Sequence, residues 1–395
     1  MIRLLNMMLL ATLAVYGESF NDFKTSQEQG VQTQQSVFEA HLKAQQEAYR
    51  KYQEETQRVY DAYSKKLSRY WEDPKLSSKT EWVAYTPDAK SRSSVDFENE
   101  VLKVETIAHN KDEALLKLEA LLSKTVSADT QKAFRDDPLQ QELNKVTSKE
   151  VMTLQSIPSQ PILSNALFEN KPTKAMLNAY VTKQLQQHHV SEALLPQHQN
   201  EKLYTLEIKL PSTLMQKRSQ AYAKEVFHFA QTYQLPPSLI FAIMQTESAF
   251  NPFARSHIPA YGLMQIVPTS AGIDAYNFVY KKKAVPGASY LYNAHNNIEL
   301  GSAYLHLLYF NYLRLITNKK SRLYCSIAAY NTGAGNVARA FGGTNSVANA
   351  AKIINTMSSN EVYEHLKSHL KYEEARNYIV RVRERMPGYF KMYYP

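Results

Sequence analysis

The run Pro236-Pro237-Ser238-Leu239-Ile240-Phe241-Ala242-Ile243-Met244-Gln245-Thr246-Glu247-Ser248 carries the decisive pattern of this chain. Proline is tolerated at the first helical position, where its missing N–H would have had no partner anyway, so the two prolines read as a helix start. From Leu239 to Met244 the segment is apolar on nearly every side, which predicts a buried helix. Counting back from Glu247, Met244 lies at i−3, Ile243 at i−4 and Ile240 at i−7, all on the face that carries the carboxyl. Burial disfavours an ionised carboxylate, and the negative end of the helix dipole pushes the same way, so the expected pKa is raised. Taken alone, Glu247 reads equally well as a poised proton donor or as a glutamate that caps or salt-bridges a helix end. Downstream, only Asp274 and Glu299 are acidic before Glu361.

The surroundings favour the proton donor. Glu247-Ser248-Ala249-Phe250-Asn251-Pro252 is followed by Ser256 and then by Gly262-Leu263-Met264-Gln265-Ile266-Val267-Pro268. Further on come Asn297-Ile298 with Gly301 and Tyr304-Leu305, then Ala328-Ala329-Tyr330-Asn331 with Gly333 and Gly335, and finally Tyr378. Four spaced motifs in this order resemble the soluble-lytic-transglycosylase catalytic domain, a lysozyme-like fold related to goose-type lysozyme. The stretch Trp82 to Glu105, the segment before Pro211 and the stretch Ala351 to Tyr363 are similar to membrane-bound lytic murein transglycosylase C. The resemblance covers roughly residues 80 to 395.

It implies a peptidoglycan lytic transglycosylase that cuts the β-1,4 bond between N-acetylmuramic acid and N-acetylglucosamine without water, leaving 1,6-anhydromuramyl ends. Carried over motif by motif, Glu247 is the acid and base, Ser256 lies by the reacting sugar, Gln265 hydrogen-bonds it and Met264 packs behind. Tyr330 and Tyr378 reach the glutamate or the substrate with their hydroxyls. Packing alone is the competing reading of Met264, Tyr330 and Tyr378, while Ser248 and Asn331 are expected to fix local backbone. A glycosidase ordinarily pairs two carboxyls about 5 Å apart for retention or about 6.5 to 9.5 Å for inversion. Here the motif region offers no obvious second acid, and where the family pattern commonly has Asp this chain has Asn293. Two alternatives stay in view: a lysozyme-type hydrolase using the same glutamate with water, and a noncatalytic cell-wall-binding scaffold.

The remaining sequence sets the frame. Met1 to Gly17 has an early Arg3 and a short apolar core, which reads as a secretory signal, since a membrane span needs about 20 apolar residues. The sole cysteine, Cys325, sits in an apolar helical stretch and is expected to pack. No cysteine follows the leader, so a soluble periplasmic form is expected rather than a lipid-anchored one. Residues 18–77 form a long Gln- and Tyr-rich helix, in which Phe38, Leu42, Gln45, Tyr49, Tyr52, Thr56, Val59, Tyr63, Lys66 and Tyr70 step by four and three. That stripe suits self-association, a protein partner, or packing on the rest of the chain.

Residues 78–211 read as a small α+β domain. Val95 and Phe97 alternate, Glu98-Asn99-Glu100 turns, Leu102, Val104 and Thr106 alternate again, and Tyr204, Leu206, Ile208 and Leu210 return to the same sheet. Ala114 to Leu122 looks helical, and residues 212–395 read as the all-α catalytic domain. Ser358 and Glu361 form a capping-box pattern. His188, His189 and His198 lack metal-site spacing and carboxylate partners, so neither metal nor cofactor is expected. The net charge is +9, and the stretch between Glu247 and Glu361 holds ten basic residues against two acids. A polyanion would be attracted. The secretory leader and the lack of a recognisable nucleic-acid module favour peptidoglycan strands, with their stem-peptide carboxylates, over nucleic acid.

Overall fold

The computed structural model describes residues 40, 43–44, 47–146, 151–152, 157–195 and 200–394. The leader at Met1 to Gly17, the stripe positions Phe38, Leu42 and Gln45, and His198 lie outside the described residues. Tyr49–Pro395 make one compact unit, and the few described residues of Met1–Ala48 are helical.

Helix α1 spans residues 49–67 of that unit and buries Tyr52, Thr56, Tyr60 and Leu67 on one face. Of the stripe read from the sequence only Tyr52 and Thr56 lie on that face: burial then passes to Tyr60 and Leu67, a helical rather than a coiled-coil period, and leaves Tyr49, Val59, Tyr63 and Tyr70 half-buried. Tyr52 donates to the Pro259 carbonyl at 3.1 Å and Tyr60 to the Ser256 carbonyl at 2.9 Å. Packing on the rest of the chain is therefore the reading the structure supports for this part of the stripe. Lys66, counted in the stripe, is exposed.

The α+β region is built on a five-stranded antiparallel sheet. Its strands are β1 (Glu81–Tyr85), β2 (Ser91–Asp96), β3 (Val101–Ala108), β4 (Val190–Leu194) and β5 (Lys202–Lys209). Their spatial order is β1-β2-β3-β5-β4, so the strand before Pro211 does return beside β3. The register sets Leu102 opposite Ile208 and Val104 opposite Leu206, all buried, while Lys103 opposite Glu207 makes an ion pair at 2.8 Å on the outer face. Helices α2 (Lys111–Val126) and α3 (Lys174–Gln187) follow, with Asn110 capping α2 through the Glu113 N–H at 2.9 Å.

The start of β2, Ser91-Arg92-Ser93-Ser94, is polar in sequence, yet it is buried. The reason is polar satisfaction: Arg92 faces Glu105 in register, meets both its carboxylate oxygens at 2.6 and 3.2 Å, and lies 4.0 Å over the Trp71 ring.

Helices α4 (Ala223–Thr232), α5 (Pro237–Ser248), α6 (Ala294–His306), α7 (Lys319–Thr332), α8 (Ser359–His369) and α9 (Glu373–Tyr393) are the longest elements of the second half. Nearly every residue of α5 is buried, as an all-round apolar helix requires. Its main partner is α9, where Tyr389 and Tyr393 stack on Phe241 with ring centroids 5.2 and 4.6 Å away. The Ser358–Glu361 capping box is present at the start of α8. Cys325 is free and fully buried in α7.

The two regions interlock at Arg255. Its guanidinium is almost wholly buried and bonds Asp137 Oδ2 and Gln140 Oε1, both at 2.9 Å, across from the α+β side. A desolvated cation of this kind is tolerable only with such partners.

Candidate active site

Helix α5 ends at Ser248 because Ala249 turns left-handed, with φ +46°, and Phe250 does the same at +59°. Side chains other than glycine are strained there, so surrounding contacts must hold the turn. Ser248 supplies one, donating to the Met244 and Leu263 carbonyls at 2.9 and 2.8 Å. The end of the acid-bearing helix is thereby fastened to the Gly262–Gln265 loop.

That loop rests on Asn297 of α6. Asn297 Oδ1 accepts the Met264 N–H at 2.7 Å, and its amide donates to the Tyr261 and Leu291 carbonyls at 2.7 and 2.9 Å. Gly262 has φ +75°, and a Cβ there would meet Asn297 Nδ2 and the Leu291 oxygen at 2.5 Å. Glycine is demanded twice, by conformation and by space. Met264 is fully buried against Gly301, where an added Cβ would lie 2.4 Å from its sulfur. Its side chain packs behind the loop.

Gln265 also adopts a left-handed backbone, φ +49°. Its Nε2 donates to the Gly262 carbonyl at 2.9 Å, whereas its buried Oε1 has no partner among the described residues. Tyr330 donates its hydroxyl to the Met264 carbonyl at 2.8 Å and lies close enough to the Glu247 charge to feel it. Ser256 is occupied within its own loop: its hydroxyl donates to the Ile258 carbonyl and accepts the Ala260 N–H at 3.0 Å. Asn293, where the family pattern commonly has Asp, caps α6 by accepting the Asn296 N–H at 3.3 Å.

Glu247 is only 4% exposed. Burial holds its pKa above the ordinary carboxylate range, with the nearby negative charge of Glu374 adding to the rise. Lys79 and the hydroxyl of Tyr378 oppose that rise. The Tyr378 hydroxyl is buried beside the carboxyl without a hydrogen-bond partner of good geometry.

The sequence reading of a solitary carboxyl is therefore corrected. Lys79, from the turn before β1, stands 3.6 Å from Glu247 Oε2 and 2.7 Å from Glu374 Oε1. Glu374 opens α9, is held below the ordinary carboxylate range first by Lys79, and also meets Asn331. Neither of the two acids singled out earlier takes this place, since Asp274 accepts from Tyr312 at 2.7 Å and Glu299 from Tyr280 at 2.5 Å. Glu374 had a signal in the sequence: it precedes Tyr378 by four residues, one turn along the same helical face. Lys79 had none, because only the fold brings it across.

Among known families, the Transglycosylase SLT domain model matches residues 225–353, and the model for the N-terminal domain of membrane-bound lytic murein transglycosylase C matches residues 45–221. Membrane-bound lytic murein transglycosylase C of Serratia proteamaculans (strain 568) is 32% identical over 320 residues, which cover 80% of this chain and 83% of that one. The chain belongs to the lytic murein transglycosylase family. The protein of the same name from Klebsiella pneumoniae (strain 342) is 34% identical over 316 residues, with the same shares covered. The 70 kDa soluble lytic transglycosylase of Escherichia coli is similar at 23% identity and a TM-score of 0.36, over 46% of this chain and 26% of that one. Within this lytic transglycosylase, Lys79 falls in the first matched stretch, Glu247 in the second, and Glu374 and Tyr378 beyond both.

Proposed function

We propose that the chain cleaves the β-1,4 bond between N-acetylmuramic acid and N-acetylglucosamine in peptidoglycan, with Glu247 serving first as acid and then as base. The observation that carries this is the desolvated Glu247 carboxyl, raised toward its protonated form at the end of α5. A carboxyl that holds its proton more tightly than an exposed one can give it to the bridging oxygen as the C–O bond breaks. The muramyl N-acetyl group stabilises the developing cation. The Glu247 carboxylate then takes the proton of the muramyl C6 hydroxyl, whose oxygen bonds to C1 and closes a 1,6-anhydro ring. The acid is regenerated and no water is consumed.

The free Oε1 of Gln265 is suited to accept from a sugar hydroxyl or an N-acetyl N–H. Tyr330 locks the Met264 carbonyl and so the loop, and Tyr378 sets its hydroxyl beside the Glu247 carboxyl. Ser256 shapes the 256–260 loop from within. The excess of basic over acidic side chains between Glu247 and Glu361 suits a wall polymer bearing carboxylates. Action at the cell wall, in the periplasm, follows from that substrate. Among the described residues no helix is long and apolar enough to cross a membrane.

Mass spectrometry of fragments released from purified peptidoglycan tests the reaction. Fragments one water lighter than hydrolysis products are expected, and full-weight reducing ends would replace this reading with the lysozyme-type hydrolase. Glu247→Gln should lower turnover about 10³-fold or more while wall binding in a sedimentation assay stays near the wild-type level. Unchanged turnover in that variant would remove Glu247 from the role.

A further inference from the structure

Lys79 reaches the acid from outside the helical half of the molecule. It sits on a tight turn: the Ser78 N–H bonds the Glu81 carbonyl at 2.8 Å, the Glu81 N–H bonds Ser78 Oγ at 3.0 Å, and the Phe97 N–H bonds the Thr80 carbonyl at 2.8 Å. The Arg255 N–H, from the loop after α5, bonds the Ser78 carbonyl at 3.4 Å. A lysine fixed at both its neighbours is placed, not wandering. Its ammonium contacts Glu374 at 2.7 Å and Glu247 at 3.6 Å, so one cation lies between two carboxyls of opposite tendency.

We infer that Lys79 and Glu374 are positioning residues for the reaction, a cation and its holder that set how readily Glu247 gives up and takes back its proton. The inference rests on the acid and base role proposed for Glu247. During the step in which Glu247 loses its proton to the sugar oxygen, the Lys79 ammonium stabilises the carboxylate left behind. Glu374 holds most of that ammonium's attraction for itself and keeps the acid from being discharged too early. The other titratable groups facing this cluster are Tyr330 and Tyr378 beside Glu247, Arg381 beside Lys79 and Glu374, and Tyr49 of α1 beside both. None of these tyrosines carries charge at neutral pH, since burial pushes all three hydroxyls up.

The two partners act on Glu247 with opposite sign, because the positive charge favours its ionised form and the negative charge its protonated form. That opposition makes the test specific. The pH profile of kcat/KM is measured on purified peptidoglycan for the full chain and for Lys79→Met, Lys79→Arg and Glu374→Gln, with thermal unfolding as a check on folding. The alkaline limb reports loss of the proton from Glu247 in the free enzyme. It is expected at higher pH in Lys79→Met, at lower pH in Glu374→Gln, and near the wild-type position in Lys79→Arg, with kcat of Lys79→Met reduced and KM little changed.

A merely structural pair would cost stability and leave the limb in place. Limbs that stay together, or that move in the same direction in both charge-removing variants, overturn the inference. If Lys79→Met does not fold, Glu374→Gln alone decides, with a shift to lower pH supporting and no shift refuting. An inactive Glu247→Gln with unmoved limbs would refute only this pair, whereas an active Glu247→Gln would refute the role on which it rests.

Discussion

Asn297 Oδ1 takes the Met264 N–H at 2.7 Å, so one fully buried side chain on α6 holds the backbone of the loop that faces the acid. The same amide also serves the Tyr261 and Leu291 carbonyls. Asn297→Ala would remove all three bonds and strand the Met264 N–H and the Leu291 carbonyl, while the Tyr261 carbonyl keeps the Ile266 N–H at 3.1 Å, at about 3 kcal/mol in total. Urea unfolding should show that loss, with activity falling further than stability explains because Gln265 is released; a cost within about 0.5 kcal/mol would contradict the assignment.

Gly262→Ala combines a strained φ with a Cβ pressed onto Asn297 and Leu291. The expected destabilisation is about 2 to 3 kcal/mol, since both contacts belong to a packed interior that yields little. Gly333→Ala is the informative control. That glycine has φ +85° and ψ 149°, a conformation other residues hardly adopt, but open space around an added Cβ, so the cost in the same denaturation experiment, about 1 to 3 kcal/mol, should be conformational alone.

The Glu247 proton also leaves a mark on stability. Its folded-state pKa is raised by burial above the unfolded one, so the native state binds the proton more tightly. The stabilisation linked to that proton is complete below the unfolded-state pKa and is lost as pH rises through the folded-state value. Gln has no proton to lose. The melting temperature of Glu247→Gln should therefore gain on that of the parent chain as pH rises above the ordinary carboxylate range, and a difference that stays flat there would count against the raised pKa.

Arg255→Met would strip the guanidinium from Asp137 and Gln140, leaving a largely buried carboxylate without its cation. A loss of about 3 kcal/mol or more is expected. Restoring part of it in the double variant Arg255→Met with Asp137→Asn would show that the penalty comes from the stranded charge. Additive losses in that cycle would show that it does not.

Much of this architecture was legible because hydrophobic period and burial agree. The alternation at Leu102, Val104 and Thr106 and at Tyr204, Leu206 and Ile208 gave two neighbouring strands, and the Pro236-Pro237 start with the apolar run gave α5. The polar start of β2 was not legible, because Arg92 and Ser91 are buried by virtue of partners on β3, Glu105 and Thr106, that no local pattern reveals. At the site, the motifs singled out Glu247, Gln265, Tyr330 and Tyr378, and the fold sets Tyr330 and Tyr378 close to Glu247. Lys79 was not legible, for it meets the acid only through the fold, and Glu374 was passed over although it shares a helical face with Tyr378.

The aromatic stack of Tyr389 and Tyr393 on Phe241 has a bearing on the other end of its helix. Glu374 and Tyr378 ride on the same helix, α9, which those rings press against the acid-bearing helix. Trimming the tail back past Tyr389 would unclamp that helix and let the Tyr378 hydroxyl drift from the carboxyl it faces. A tag or fusion joined at this terminus would do the same if it peeled the final turn away, so enzyme intended for kinetic work is better tagged elsewhere on its surface.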